Sequence, residues 1–331
     1  MQRPLAHAIL AALFAVAAPL ALIAADDTKT YTTQDEAPAS YQLQGEYTGT
    51  VSADGEQKKY GVQVIALGHD KFQAVAYPGG LPGDGYDGGD YGDLLKSEGT
   101  ASGDKVEFKG MHFVATLTPS EIKIVGEDGT EVGTLKKVVR KSPTLGAKAP
   151  EGAKVLFDGS SAEAFENGKI VQEDLLLADC ASKDKFGDHQ LHLEFRTPFK
   201  PDARGQARGN SGLYVQSRYE VQVLDSFGLS GEDNECGGIY KISKPQVNMC
   251  YPPLTWQTYD VDFTAAKYDA EGKKTENARV TIKHNGVVIH DNLELPSNTP
   301  GRHQEGPEKD AIYLQGHGNP VVYRNIWVVE K

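Results

Sequence analysis

Residues 219–225 read Tyr-Glu-Val-Gln-Val-Leu-Asp, and this stretch decides the fold class. Apolar and polar residues alternate in it with a period of two, as they do in a β-strand that has one face in a core. Val221 and Val223 would face that core, whereas Glu220 and Gln222 would lie on the outer face. The stretch therefore predicts a sheet whose outer surface carries a carboxylate beside an amide.

Two further stretches, residues 190–196 and 312–317, alternate in the same way. An antiparallel sheet with one solvated face shows this pattern without any binding function. The residue types favour a second interpretation, because planar amides, carboxylates and imidazoles suit the paired donors and acceptors of sugar hydroxyls. The polar residues on these two predicted outer faces are His192, Glu194, Arg196, Tyr313, Gln315 and His317.

The rest of the chain also reads as β structure. Strand-like runs recur at intervals of about 8 to 12 residues, and 36 glycines and 17 prolines fit many tight turns. Residues 26–140 predict a small β domain, and residues 141–152, which contain two prolines, predict a linker. Residues 153–331 predict an all-β jelly roll or a related sandwich, in which Asn285-Gly286 is the turn of a hairpin.

The first 25 residues have the layout of a secretory signal peptide. Arg3 precedes an apolar run over residues 8–25, after which the chain turns acidic at Asp26. We expect cleavage near Ala24 or Ala25 and a mature protein in the periplasm or outside the cell. A retained membrane anchor is the alternative. We favour a cleaved signal peptide and a mature protein that is not associated with a membrane.

The charge of the chain excludes one class of partner. Its 34 basic and 46 acidic side chains give a formal net charge of −12. A surface this acidic repels phosphate backbones, so nucleic acid is not expected as a partner.

Three cysteines stand in the chain, at positions 180, 236 and 250. In an oxidising compartment a pair would close, and Cys236 with Cys250 is the favoured disulfide because the segment between them is short. Three buried thiols are the alternative. The spacing of the three matches no zinc site.

The C-terminal half resembles a known family in eight segments that occur in order. They are Leu-Phe-Asp-Gly at 156–159, Asn-Ser-Gly-Leu-Tyr-Val-Gln at 210–216, residues 219–225, Cys-Gly-Gly-Ile-Tyr at 236–240, Trp-Gln-Thr-Tyr-Asp at 256–260, His-Asn-Gly-Val at 284–287, Leu-Gln-Gly-His-Gly at 314–318 and Val-Tyr-Arg-Asn-Ile at 322–326. The family is the 3-keto-disaccharide hydrolase (3-keto-glucoside 1,2-lyase/3-keto-2-hydroxyglucal hydratase) domain. The resemblance implies a concanavalin-like jelly-roll fold, an oxidised glycoside as substrate and a partner sugar 3-dehydrogenase that supplies it.

The resemblance also implies an elimination. A ketone at C3 acidifies the proton at C2, so one base, one group that polarises the ketone and one acid for the leaving group are sufficient. Our hypothesis gives proton transfer to Glu220 and His317. The ketone would be polarised by Arg324, or by a divalent cation held by Glu220, Gln222 and His317; no cofactor is certain. The residues expected to bind the sugar are Asn210, Gln222, Tyr240, Lys241 and Gln315, with Trp256 as an apolar platform.

Structural roles remain open for several of these residues. His317 could be a hydrogen-bonded histidine of a turn, Arg324 could close the last strand in a salt bridge, and Trp256 could be a core residue. The two-carboxylate mechanism of ordinary glycosidases is disfavoured, because Glu220 and Asp225 would lie ~16 Å apart on opposite faces of one strand. A non-catalytic carbohydrate-binding module and a structural module are the alternative functions.

Overall fold

The computed structural model describes residues 29–53, 55–86, 92, 94–110 and 112–331. The predicted signal peptide at residues 1–25 lies outside the described residues. The remainder folds into an N-terminal β-barrel and a C-terminal β-sandwich. The prediction of an all-β protein is thus confirmed.

The N-terminal domain is a closed antiparallel barrel of eight strands. A short helix, α1 (Ala39–Leu43), precedes it. The strands are β1 (Gly45–Ala53), β2 (Glu56–Ala66), β3 (Lys71–Pro78), β4 (Leu81–Pro82), β5 (Gly85–Tyr86), β6 (Leu95–Ser102), β7 (Lys105–Lys109), β8 (Phe113–Leu117), β9 (Glu121–Gly126) and β10 (Glu131–Val138). The barrel order is β1-β2-β3-β6-β7-β8-β9-β10, and β10 returns to β1, whereas β4 and β5 pair with each other outside the barrel. Closure leaves the barrel no free strand edge.

Side chains fill the centre of the barrel. In β7 the exposed lysines and glutamate alternate with Val106 and Phe108, which are buried. Tyr47, Phe72 and Leu135 pack into the same cluster. The barrel therefore has a packed interior of the kind that small barrels have.

The C-terminal domain consists of two packed sheets. Its strands are β11 (Lys154–Phe157), β12 (Phe165–Glu166), β13 (Ile170–Val171), β14 (Leu175–Leu177), β15 (Cys180–Phe186), β16 (His189–Arg196), β17 (Ser211–Val215), β18 (Tyr219–Val223), β19 (Gln257–Thr264), β20 (Lys267–Tyr268), β21 (Lys274–Glu276), β22 (Ala278–His284), β23 (Val287–Leu295), β24 (Asp310–Leu314) and β25 (Val322–Glu330). A 3₁₀ turn, Gly205–Ala207, precedes β17. The larger sheet has the order β13-β14-β25-β16-β19-β22-β23, with β11 also paired to β25, and the smaller sheet has the order β12-β15-β24-β17-β18.

The two sheets share one core. The Tyr323 hydroxyl on the larger sheet is 2.7 Å from the Ser211 hydroxyl on the smaller sheet, and the Tyr259 hydroxyl donates to the Gln222 carbonyl at 2.7 Å. Leu213, Val221 and most of the other inward residues are fully buried. This is the predicted jelly-roll type of sandwich, confirmed by the sheet arrangement.

The predicted hairpin turn is present between β22 and β23. Asn285 and Gly286 have φ angles of 51° and 82°, as a two-residue turn of the I′ type requires. A side chain on Gly286 would also meet the ring of Pro143 at 2.3 Å. Glycine is therefore required there both by the turn and by the segment that packs on it.

That segment, residues 141–152, was predicted as a linker. Its first half is not extended into solvent. It packs across the outer face of the larger sheet. Ser142 Oγ is 2.6 Å from Thr258 Oγ1, Thr144 donates to Asp260 at 2.7 Å, and the Gly146 amide donates to Glu194 at 2.5 Å. We call residues 141–149 the strap, because they connect the domains while they cover a sheet.

The two domains also contact each other directly. Ile65 and Tyr77 of the barrel belong to the hydrophobic core of the sandwich. Arg208 donates to the Ala66 carbonyl at 3.2 Å, and Arg140 lies 5.0 Å from the ring of Tyr251. The interface thus combines apolar packing with polar contacts.

The three cysteines are free thiols in the structure, so the predicted Cys236–Cys250 disulfide is not formed in it. The predicted partners are neighbours in the core, because each buried thiol shifts the pKa of the other. The Cys236 sulfur also lies 3.3 Å from the Tyr259 hydroxyl. Burial raises the pKa of the Cys250 thiol, which keeps it protonated and unreactive.

No helix within the described residues is both long enough and apolar enough to span a membrane.

Candidate active site

Most of the predicted site residues lie on the outer face of the smaller sheet. In the register of β17 and β18, Glu220 stands opposite Tyr214 and Gln222 stands opposite Gly212. On the other side of β17, the backbone N–H of Gln315 donates to the Gly212 carbonyl at 2.8 Å. Tyr240 follows as the next neighbour, because its N–H donates to the Glu220 carbonyl at 3.2 Å. The alternation at 219–225 and at 312–317 therefore places polar side chains on one surface, as predicted.

Glu220 is the titratable group at the centre of this face. It is only 3% exposed, and its Oε2 accepts a hydrogen bond from the Tyr214 hydroxyl at 2.8 Å. Burial raises the pKa of the Glu220 carboxyl to about 7, and the hydrogen bond from Tyr214 opposes that shift. A carboxyl group with such a pKa can both take and return a proton near neutral pH.

Gly212 makes room for this carboxyl group. A Cβ at position 212 would lie 2.6 Å from Glu220 Oε1 and 3.2 Å from Gln315 Oε1. Both oxygens therefore converge on the space above the glycine. Gln315 Oε1 is buried and accepts no hydrogen bond from any residue that the structure describes.

The Gly212→Ala variant tests this close approach. The added methyl group would displace the Glu220 carboxyl, so we expect turnover to fall at least tenfold, while the far side of the sheet keeps its packing. The matched control is Gly187→Ala, because a Cβ there meets only the flexible Lys309 side chain at 3.4 Å or more. Equal turnover in both variants would show that the position of Glu220 does not matter.

Two of the predicted sugar-binding amides hold each other in place. Gln222 Nε2 donates to Asn210 Oδ1 at 2.8 Å, and Asn210 Nδ2 donates to Gln206 Oε1 at 2.8 Å. Both residues are almost fully buried. The chain of amides fixes their rotamers, and such preorganised groups lose little freedom when a ligand binds.

Tyr214 and Arg302 also lie at this face, although they are not among the predicted site residues. The Arg302 guanidinium lies 3.5 Å from the centre of the Tyr313 ring, and Arg302 Nε has no partner among the described residues. Tyr313 in turn donates to Asp179 at 3.2 Å. Tyr214 was detectable, since it stands in the quoted stretch 210–216. Arg302 was not, because it lies in a loop after residue 295 with no periodic pattern.

His317 and Lys241 lie at the margin of this face and are exposed. The His317 carbonyl accepts a bond from Asn319 Nδ2 at 3.1 Å, and Asn319 Oδ1 accepts one from the Gly209 N–H at 3.3 Å. The loop of His317 thus runs beside the start of β17. No hydrogen bond joins His317 to Glu220 in the described part of the chain, and its catalytic role stays a prediction.

The expected metal site has no dense ligand cluster. Within the described ranges, no group of three or more His, Cys, Asp and Glu side chains is arranged to hold a metal ion. The candidate set of Glu220, Gln222 and His317 contains only two such residues. Metal binding by that set stays a prediction.

Arg324 and Trp256 are not part of this face. Arg324 stands on β25 of the larger sheet, where its Nε donates to Glu194 Oε2 at 2.7 Å and its guanidinium lies 4.0 Å from the Trp256 ring. Its neighbour Tyr323 points into the core, so Arg324 points away from the smaller sheet. The prediction that Arg324 acts beside Glu220 is therefore wrong, and its alternative role in a salt bridge is confirmed. Trp256 belongs to the same outer surface.

His192 and Glu194 also belong to the larger sheet. His192 Nδ1 lies 2.6 Å from Asp260, and its ring stacks on Trp327 at 5.1 Å. Glu194 accepts from the strap and from Arg324. Their alternating pattern thus marks a sheet covered by the strap.

Asp225 is held in a buried salt bridge. It is 3% exposed and forms a salt bridge with Arg208 at 2.7 Å. This outcome agrees with the expectation that a two-carboxylate mechanism does not operate on this strand.

The C-terminal domain matches a known protein family. Residues 152–329 match the model of a family described as the 3-keto-alpha-glucoside-1,2-lyase-like domain. The chain belongs to this family. The match runs from the last residue of the predicted linker to residue 329 of β25, so the barrel and the strap lie outside it.

Three of the solved structures similar to the chain come from Parabacteroides distasonis. One, a candidate glycosyl hydrolase, is 31% identical, with a TM-score of 0.51, over 55% of this chain and 85% of that one. A second candidate glycosyl hydrolase is 20% identical over 54% of this chain and 99% of that one, with a TM-score of 0.39. A third is 17% identical over 55% and 94%, with a TM-score of 0.41. No curated protein matches the chain. The family and the first structure support a carbohydrate-active function.

Proposed function

We propose that the protein cleaves 3-keto-glycosides by removing the proton at C2 and eliminating the substituent at C1. The observation that carries this proposal is the buried Glu220 carboxyl with a pKa of about 7, held by Tyr214 among the amides of Gln222 and Gln315. Such a group can act as a base at neutral pH, and the amides around it can hold sugar hydroxyls.

The bonds and protons balance in two stages. Glu220 takes the C2 proton, the C3 ketone becomes an enolate, and the enolate re-forms the ketone as the C1–O bond breaks. The leaving oxygen takes up a proton, and a glucal with a C1=C2 double bond remains. Water then adds its hydroxyl to C1 and a proton to C2. The sum is hydrolysis, without a net oxidant or reductant.

Arg302 is the cation best placed to polarise the ketone. Its guanidinium lies over Tyr313, which is the cross-strand neighbour of Tyr214, and Tyr214 donates to Glu220. A fixed positive charge beside a forming enolate stabilises the transition state. In this proposal Arg302 takes the role first given to Arg324, and His317 protonates the leaving group.

We expect the Arg302→Gln variant to lower kcat/KM on a 3-keto-glucoside by about 10²-fold, because it removes the charge that stabilises the enolate. The matched control is Arg279→Gln, an exposed arginine paired with Glu294, which should keep normal turnover. Steady-state kinetics would measure both. Unchanged kcat/KM in Arg302→Gln would eliminate Arg302 from the mechanism.

A divalent cation held by Glu220, Gln222 and His317 is the alternative source of this polarisation. It predicts that exhaustive EDTA treatment abolishes turnover and that added metal restores it. Full activity after EDTA treatment would leave the arginine as the electrophile.

Export and substrate supply belong to the same proposal. Residues 1–25 would direct the protein to the periplasm or the medium, and a sugar 3-dehydrogenase would oxidise the C3 hydroxyl before cleavage. N-terminal sequencing of the mature protein would test the first part: a start near residue 25 or 26 is expected.

The proposal as a whole is tested by incubation with glucosides and with their 3-keto counterparts, followed by mass analysis. Cleavage of the oxidised set alone is expected. Saturable binding of either set without product would instead identify a carbohydrate-binding module. Cleavage of both sets at similar rates would contradict the elimination mechanism, because an unoxidised sugar has no acidic C2 proton.

A further inference from the structure

A cavity lies where the barrel meets the sandwich. It has a volume of about 260 Å³. One wall comes from residues 34–46 of the barrel domain, a second from residues 137–140, and a third from residues 251–255 of the sandwich. Binding sites often form at such domain boundaries, and this volume is below that of most drug-sized pockets. A ligand here would have about the size of one sugar ring.

Lys137 gives this cavity an uncompensated positive charge. Its Nζ donates to the Gln42 carbonyl at 2.5 Å, but it forms no ion pair with any described carboxylate. Burial lowers the pKa of the Lys137 ammonium to about 8, because part of its hydration shell is lost. The neighbouring Lys136 differs, since it is exposed and paired with Glu121.

The other charged groups of the cavity neutralise each other. Arg140 Nε donates to Glu46 Oε2 at 2.8 Å, and its second nitrogen reaches Glu46 Oε1 at 2.5 Å. This bidentate pair uses the only carboxylate in the lining. The net charge that remains is the positive charge of Lys137, so an anion is the complementary ligand.

A buried amide in the lining also lacks a partner. Gln44 is 3% exposed, and its Oε1 accepts a bond from the Ala66 N–H at 3.0 Å. Its Nε2 has no hydrogen-bond partner among the described residues. Leaving such a donor unpaired costs free energy, which a ligand hydroxyl or carboxylate would recover. Tyr41, Tyr251 and Thr255 add aromatic surface and a hydroxyl.

We propose that this cavity is a binding site for a small hydroxylated carboxylate, such as a sugar acid, whose carboxylate pairs with Lys137. The Gln44 amide and the surrounding hydroxyls would hold the ligand's oxygens. The site is separate from the Glu220 face, and it does not depend on the function proposed there.

The experiment uses the full mature protein, with sodium glucuronate as the probe and glucose as its neutral counterpart, measured by titration calorimetry. We expect saturable binding of glucuronate that weakens with added salt, and at least tenfold weaker binding of glucose. Lys137→Met should weaken glucuronate binding at least tenfold, whereas Lys136→Met and Glu220→Gln should leave it unchanged.

Folding of the variant is checked separately. Because the Lys137 ammonium is partly desolvated, Lys137→Met should melt no lower than the wild type. Should that variant fail to fold, the comparison of glucuronate with glucose on the wild type still decides. Equal affinity for the two, no saturable binding at tens of millimolar, or full affinity in a folded Lys137→Met variant would each overturn the proposal.

Discussion

The Glu220→Gln variant is expected to lose 10²- to 10⁴-fold in kcat/KM on a 3-keto-glucoside, the range that a positioned general base supplies. The amide keeps the size of the side chain and can still accept the bond from Tyr214. It cannot take the C2 proton. The matched control is Glu166→Gln, which changes an exposed glutamate of the same sheet and should have no effect.

The same group sets the expected pH dependence. Since burial raises the pKa of Glu220 to about 7, the carboxylate that acts as the base forms only as the pH rises through that value. We therefore expect kcat/KM to increase as the pH rises toward 7. A profile that is flat between pH 5 and 8, or a Glu220→Gln variant with normal turnover, would remove Glu220 from the mechanism.

The free energy of unfolding should decrease over the pH range in which kcat/KM increases. Between the ordinary pKa of 4.5 and the folded value of about 7, the native state holds more protons than the unfolded chain, so the free energy of unfolding falls as the pH rises. Above pH 7 the buried carboxylate costs about 3 kcal/mol. Glu220→Gln should relieve that cost, and calorimetry at pH 8 should show a higher Tm than the wild type.

The Glu194→Gln variant should cause the largest loss of stability. Burial alone would raise the pKa of Glu194, but His192, whose Nε2 lies 3.8 Å from Oε1, and hydrogen bonds from Asn325, Gly146 and Arg324 outweigh it and lower the pKa to about 2. The charged form is therefore strongly favoured in the folded state. By linkage it contributes about 3 kcal/mol. The amide would place an N–H group against these donors.

We expect Glu194→Gln to lower Tm at pH 7 by roughly 6 to 12 °C. The wild type should lose the same stabilisation as the pH falls from 4.5 toward 2, so the two proteins should converge in acid. Glu294→Gln breaks an exposed pair with Arg279 and should change Tm little. A Tm for Glu194→Gln equal to that of this control would contradict the structural role of the network.

The fold was largely predictable, because the sequence signals that indicate it are local. The alternation of apolar and polar residues indicates which side chains of a strand face a core. Asn285-Gly286 indicates where a hairpin turns. These signals need only neighbouring residues. Closure of the barrel was not predicted, because the pairing of β1 with β10 joins residues about 90 positions apart.

The site was predictable only within one sheet. Glu220, Gln222 and Gln315 converge because their strands are adjacent through β17. Arg324 was misplaced because alternation shows that a residue faces outward but not from which of two sheets. Arg302 was missed because its place over Tyr313 depends on the path of a loop. A sequence pattern indicates on which face of its strand a residue lies. It does not give the order of the strands, which decides which residues meet in a site.

The strap has a consequence for how this domain could be moved between proteins. The Gly146 amide and the Ala147 carbonyl contact Glu194, Asn325 and Trp327 on the larger sheet, although they precede the residues of the family match. Excision at residue 152 would leave those polar groups facing water or one another. Recombination that respected only the matched boundaries would transfer an incomplete sandwich, so strap and sandwich are expected to be inherited together.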